Sequence, residues 1–548
     1  MRHRPEQCIN LLHPKKTNRS FTHIASYQLM KKQLLTTFFI SASIAGAMAQ
    51  NTNVPRLVVG ITIDQLRTDY LNAFMPLYGE GGFKLLLEKG KVCSNVKYLH
   101  TPADRASAIA SIITGTVPYT HGIIAEEWMS RTDLHTNFCV DDSQYKGVNT
   151  YDCSSPKNLL VSTIGDELKY ATKGKALVYS VAPFREAAVL AAGHAADWAM
   201  WIDNESGRWA GTSYYGAGPS WFRYIDSGVL SNLQNVVWKP ENKYSGSYNY
   251  YLTTSQNSFA HKFAGTSRYT SFKTSALINA EVNKAARSCI ESGNAGLDDV
   301  TDFLSVCYYA GYSNLSNGAG ATLELQDTYK RLDQELEILL KKIDAVVGLD
   351  KTLIYVTSTG YDEIEKSDEM SQYRIPTGNF FINRCATLLN MYLCAMYGNG
   401  QYIQSYFSNQ LYINHKLLEQ KQLKLAEVMG HSEDFLFQFS GVKDVFTAQR
   451  ITQGAWTPGI SNIRNGFNPK CSGDIIIQVS PGWNLVNEDR HTSKPQRESF
   501  FEFPLIFFGF TIQPEKVEKE VTIDCIAPTV AHHIRIRAPN ACSTPPLF

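Results

Sequence analysis

The stretch "RLVVGITID", residues 56–64, is a nearly unbroken apolar and β-branched run that ends on a lone carboxylate. Val, Ile and Thr favour extended backbone. An apolar run without alternation fits a strand buried on both faces, as in a parallel sheet covered by helices. Four further runs read the same way: "ALVYSVA" (176–182), "DFLSVCYYA" (302–310), "TLIYVTST" (352–359) and "FPLIFFGF" (503–510).

The segments between them supply the covering helices. In "TLELQDTYKRLDQELEILLKKIDAVV" (322–347), Leu325, Tyr329, Leu332, Leu336, Leu339 and Ile343 form one stripe. That spacing predicts an amphipathic helix on the sheet, with its Asp and Glu residues as a solvated face. The fold class is therefore α/β, with a mostly parallel central sheet and helices on both faces. Two long stretches break the alternation, at about 204–290 and 375–470, and are expected to be inserted cap segments. The first is rich in Tyr, Trp, Ser, Asn and Gly.

The ends of the chain carry different information. Residues 1–29 hold Arg2, Arg4, Lys15, Lys16 and Arg19 against Glu6, and read as an upstream, non-mature segment. From Met30, "MKKQLLTTFFISASIAGAMAQ" has a Lys31-Lys32 start, a short apolar run and Ala47-Met48-Ala49. This predicts a signal peptide over 30–49 and a single exported domain over 50–548, in the periplasm or at the cell surface. No later stretch is long and apolar enough to predict a membrane span.

A formal net charge of +1 over 548 residues argues against a nucleic-acid footprint or a polybasic membrane patch. Of eleven cysteines, one is Cys8 in the upstream segment. In an oxidising compartment the rest permit disulfides, with Cys139–Cys153 and Cys525–Cys542 expected from their proximity in sequence.

In an open α/β sheet, ligands collect at the carboxyl ends of the strands. The residues there are Asp64, the turn and helix of 101–116, Tyr312 to Ser316, Thr359-Gly360 and, shortly before the last strand, His491. Together, "GITIDQLRTDYL", "TGTVPYTHGI", "AAGHAADWAMWID", "LQDTYKRLDQEL", "RHTSKPQRESFFEFPLIFFG" and "IDCIAPTVAHHIRIRAPNAC" resemble the alkaline phosphatase superfamily. The nearest branch is that of the type I phosphodiesterases and nucleotide pyrophosphatases, close to the phosphate-irrepressible bacterial alkaline phosphatases. The resemblance runs in order from about Arg56 to Cys542.

It implies a Thr or Ser nucleophile at a helix N-terminus and two zinc ions held by Asp and His. This sequence departs from that pattern. The nucleophile position, nine residues before Thr114-Gly115, falls on Arg105, which cannot be deprotonated. Ser107 lies about 200° further round the helix, and Thr101 precedes it. The implied metal-ligand positions hold Tyr312, Ser316, Thr359 and Gly360, so that only Asp64 and His491 remain as metal candidates. The implied phosphate-contacting positions hold Glu126, Phe184 and Glu186, and two new carboxylates would repel a phosphate dianion.

Three readings follow. The leading one is an exported pseudoenzyme with no cofactor, binding an unknown ligand or an envelope protein. Arg105 is then expected beside Asp64, Glu126 and Glu186, its guanidinium replacing a metal's charge. The second is a phosphoric ester hydrolase with a remodelled site of Asp64, His491, Glu126 and Asp104, taking zinc or another divalent metal. It requires those four side chains to converge. The third is a structural partner in an envelope complex, using the aromatic insert as an exposed apolar surface.

Overall fold

A computed structural model of the chain describes residues 54–101, 103–225, 228–241, 258–316, 322–361, 376–454, 457–496 and 502–548. The upstream segment and the expected signal peptide lie outside the described residues.

The central sheet has ten strands: β1 (Leu57–Asp64), β2 (Lys91–Cys93), β3 (Gly147–Val148), β4 (Val178–Val181), β5 (Trp198–Ile202), β6 (Trp209–Thr212), β7 (Asp302–Tyr309), β8 (Thr352–Ser358), β9 (Leu505–Gly509) and β10 (Glu515–Val517). Their spatial order is β10-β2-β9-β8-β1-β7-β4-β5-β6-β3. The middle five, β8-β1-β7-β4-β5, are parallel. β9 and β6 run antiparallel to their inner neighbours. All five apolar runs are strands of this sheet, and every residue of β1, β7 and β8 is buried.

Helices cover both faces. They include α1 (Arg105–Thr114), α2 (Arg185–Ala192), α3 (Ile278–Glu291) and α4 (Leu323–Val346). Leu57, Val59, Ile61 and Ile63 of β1 share one core with the α3 residues Ile278 and Val282 and the whole apolar stripe of α4. Val58, on the opposite parity, packs in a second core with Ala108, Ile112 and Ile113 of α1. At Gly60 an added Cβ would lie 2.2 Å from the Tyr355 hydroxyl, so the strand there leaves room for a tyrosine of its neighbour. α1 is buried on every side, and its Ala and Ser residues allow close packing.

Three expectations change on contact with the structure. The acids of α4 are not all solvated: Glu324, Asp327 and Asp333 are buried. Asp327 accepts from Trp238 Nε1 at 2.7 Å and Arg331 Nε at 2.7 Å, Asp333 accepts from the Gly79 and Phe83 N–H groups, and Glu324 pairs with His261. The described parts of the 204–290 stretch are not a separate lobe. They contain β6 and α3, and Phe222, Trp238, Phe263 and Phe272 are buried in the main core. The expected disulfides are absent, because all ten described cysteines are free. Cys542 instead donates to the Thr114 carbonyl, Cys153 Sγ faces the Tyr151 carbonyl, and Cys139 and Cys525 are buried in apolar clusters.

Most of the 375–470 stretch joins residues just beyond it in a smaller unit with its own core, referred to below as the cap. Strands Ile403–Phe407, Gln410–Ile413, Val442–Thr447 and Ile475–Val479 make an antiparallel sheet. Helices Ile382–Tyr397 and Leu425–Leu436 bury Leu389, Leu393 and Val428 against it. Among the described residues, no helix is long and apolar enough to cross a membrane.

Candidate functional site

Side chains alternate along a strand, so Asp64, with the parity of Val58, points to the face that α1 covers. α1 begins there. Asp104 is its N-cap and makes a reciprocal capping box with Ser107: the Ser107 N–H and hydroxyl both donate to Asp104, and Ser107 Oγ accepts from the Asp104 N–H. This holds Ser107 in the cap, away from any nucleophilic role. The second Asp104 oxygen accepts from the Glu126 N–H at 2.5 Å.

Capping fixes the first helical residue, Arg105, at the end of β1. Arg105 Nε donates to Asp64 at 2.7 Å and Nη1 donates to Glu186 at 2.7 Å. The three side chains are 8%, 0% and 3% exposed. The other Asp64 oxygen accepts from the Thr359 hydroxyl at 2.8 Å, and Thr359 Oγ1 accepts in turn from the Gln65 N–H. The guanidinium carbon lies 3.6 Å from the centre of the Phe184 ring.

A cation at a helix N-terminus opposes the helix dipole, at a cost of about 0.3–1 kcal/mol. Two buried carboxylates offset it, one of them Glu186 in the first turn of α2, where the dipole favours an anion. Burial alone works against the Arg105 charge, but Asp64, Tyr361 and Glu186 hold the guanidinium well above its ordinary value.

Around this core lie two groups with displaced acidities. The Glu186 charge, then burial, push the Glu126 carboxyl up to about 8, against the pull of Arg105. This shift favours the protonated carboxyl and reduces the repulsion of phosphate expected from it. Lys273, buried and bonded to Asn204 at 2.7 Å, sits 5.5 Å from the Phe184 ring. Burial pulls its ammonium down to about 8, against the opposing effects of Glu186 and Asp203. Sequence reasoning missed Lys273, which is one of two basic residues, with Arg268, in the run "SRYTSFKTS" (267–275) and carries no local signal.

The remaining candidates lie apart from this cluster or are committed elsewhere. Tyr312 is buried and shares a hydrogen bond with the Tyr70 hydroxyl at 2.9 Å. The Ser316 hydroxyl is buried and has no partner among the described residues. Gly360 has φ +67°, and a Cβ there would lie 2.3 Å from the Tyr98 ring, whose hydroxyl donates to the Ser358 carbonyl. A histidine at that position would displace Tyr98. His491 sits exposed, at positive φ, in the turn that joins strands Asn484–Asn487 and Thr492–Pro495. Arg185 turns away to Asp141 at 2.9 Å and stacks over Phe138.

The residues present do not fit the zinc pair that the resemblance implies. Donors occupy both oxygens of Asp64, and the Arg105 guanidinium stands against one of them. Asp64, His491, Glu126 and Asp104 do not form a ligand set: among the described residues, no group of three or more His, Cys, Asp or Glu side chains is placed to hold a metal ion. Thr359, the hydroxyl bonded to a buried carboxylate, is itself fully buried.

Comparison with known proteins places this geometry in context. The family model described as type I phosphodiesterase / nucleotide pyrophosphatase matches residues 58–501. Alkaline phosphatase PafA of Elizabethkingia meningoseptica is 29% identical over 546 residues, covering 94% of this chain and 98% of that protein. Alkaline phosphatase PhoV of Synechococcus elongatus is 28% identical over 515 residues, covering 89% and 91%. The crystal structure of wild-type PafA matches with a TM-score of 0.78 at 27% identity, covering 90% of this chain and 98% of that one.

Proposed function

Because this chain belongs to the type I phosphodiesterase / nucleotide pyrophosphatase family, and its relatives include alkaline phosphatases, we propose that it is an exported member that has lost phosphate-ester hydrolysis and acts by binding a ligand or an envelope protein. One observation carries the reading: the buried Arg105 guanidinium, bonded to Asp64 and Glu186, occupies the position where the family resemblance calls for a nucleophile. Arginine cannot attack phosphorus. The nearby hydroxyls of Ser107 and Thr359 are buried and held by Asp104 and Asp64.

Nothing in the site favours the remodelled enzyme, since its four proposed ligands do not gather. For the envelope-partner reading, the large aromatics described in the insert are mostly buried against the core, and its tyrosine-rich stretch at 242–257 lies outside the described residues. Export rests on the apolar run of 30–49.

The test is hydrolysis of p-nitrophenyl phosphate and bis(p-nitrophenyl) phosphate by the purified chain after incubation with zinc, with PafA in parallel. The expected rate equals that of the buffer. Zinc-dependent turnover that disappears in Asp64→Ala overturns the reading.

A further inference from the structure

Outside the central cluster, an organised opening lies in the cap. A cavity of about 770 Å³ separates the tip of the hairpin Glu127–Met129/Thr136–Phe138 from the cap sheet and its helices. That volume is within the range of small-molecule sites. Its apolar wall includes Tyr412, Met429 and Phe467.

The polar end is built around one carboxylate. Asp474, with its side chain 4% exposed, accepts from the Ile413 N–H at 2.8 Å and Arg131 Nη1 at 3.1 Å, and pairs with His415 Nε2 at 2.9 Å. Arg131 also donates to the Ser472 carbonyl and lies 5.3 Å from the centre of the Tyr412 ring. The Arg131 side chain is 27% exposed, although its Nε is buried and has no partner among the described residues.

The charge balance of the lining sets the sign of the occupant. Arg131, His415 and Lys416 are its basic residues and Asp474 its only acid, with both of that acid's oxygens engaged. Burial works against the Asp474 charge, yet His415, Arg131 and the Ile413 N–H keep its carboxyl below its ordinary value. The acid thus serves as a fixed anchor for Arg131 and His415, while Lys416 stands exposed at the rim.

We propose that this cavity is a binding site for an amphipathic anion, a small molecule with one phosphoryl, phosphonyl or carboxyl head on an apolar body. The head lies toward Arg131, His415 and Lys416, and the body lies against Met429 and Phe467. The site needs neither a nucleophile nor a metal, so it stands whether or not the chain hydrolyses phosphate esters.

Isothermal titration of the purified chain with phenylphosphonate, inorganic phosphate and phenol tests it. Phenylphosphonate is expected to bind at least about tenfold more tightly than either fragment. Lys416→Gln, an exposed change, and Met429→Trp, which fills the cavity, are each expected to weaken it by about tenfold or more. If Met429→Trp does not fold, Lys416→Gln decides. Absence of phenylphosphonate binding, equal binding of inorganic phosphate, or unchanged binding in Lys416→Gln overturns the proposal.

Discussion

The end of β1 and the cap cavity use the same device to different ends. In each, a buried aspartate holds an arginine beside an aromatic ring: Asp64 with Arg105 over Phe184, and Asp474 with Arg131 near Tyr412. At β1 the guanidinium has a second carboxylate, Glu186, and its side chain is 8% exposed. In the cap the second partner of the aspartate is another base, His415, and the arginine side chain is 27% exposed beside an open volume. A guanidinium between two acids closes a site, whereas an acid between an arginine and a histidine, with Lys416 at the rim, leaves basic groups beside an open volume. Exposure and the identity of the third charge decide which results.

The sharpest way to break this comparison is to remove each arginine. Arg105→Ala leaves two buried carboxylates unpaired and is expected to cost about 3–5 kcal/mol in chemical denaturation. Replacing Arg105, Asp64 and Glu186 together by Met, Asn and Gln should recover much of that loss, because the unpaired charges go too. If Arg105→Ala costs less than about 1 kcal/mol, the cluster does not hold the site closed.

The pH dependence separates the two regions by sign. The native Glu126 value, about 8, lies above the unfolded value of about 4.3, so its contribution to stability is present below pH 4.3 and is lost as pH rises toward 8. The native Lys273 value, about 8, lies below the unfolded value of about 10.4, so its burial penalty is full below pH 8 and is relieved as pH rises toward 10.4. The two together predict a dip in stability near pH 8. Glu126→Gln should flatten the descending limb and Lys273→Met the recovery, as read from denaturation midpoints. Asp474, with its native value lowered, contributes fully above its unfolded value of about 3.9 and loses that contribution as pH falls through the native value. Asp474→Asn should therefore lower stability throughout the range above about pH 3.9 and flatten the acid limb. Smallest is Arg131→Ala, at about 1–3 kcal/mol, because Asp474 keeps His415 and the Ile413 N–H.

What the sequence made legible was what local pattern encodes. The apolar runs are strands, and the stripe from Leu325 to Ile343 is the buried face of α4, because burial on both faces of a sheet leaves a continuous apolar signature. The parity of β1 brings Asp64 to α1, and the family resemblance, which puts the nucleophile position on Arg105, led to the expectation of Arg105 beside it. The partners were not legible. Glu324, Asp327 and Asp333 looked like a solvated face because His261, Trp238 and the Phe83 N–H come from distant segments. Lys273 and the Asp474 anchor depend on the same kind of long-range packing. Cysteine spacing misled, since closeness in sequence says nothing of which way a thiol points.

The central claim is that Arg105 holds Asp64 in place of a metal. Zinc content of the purified chain, measured by mass spectrometry after incubation with zinc and removal of excess, tests it most directly. The account predicts no more than traces; two tightly held zinc ions per chain would contradict it.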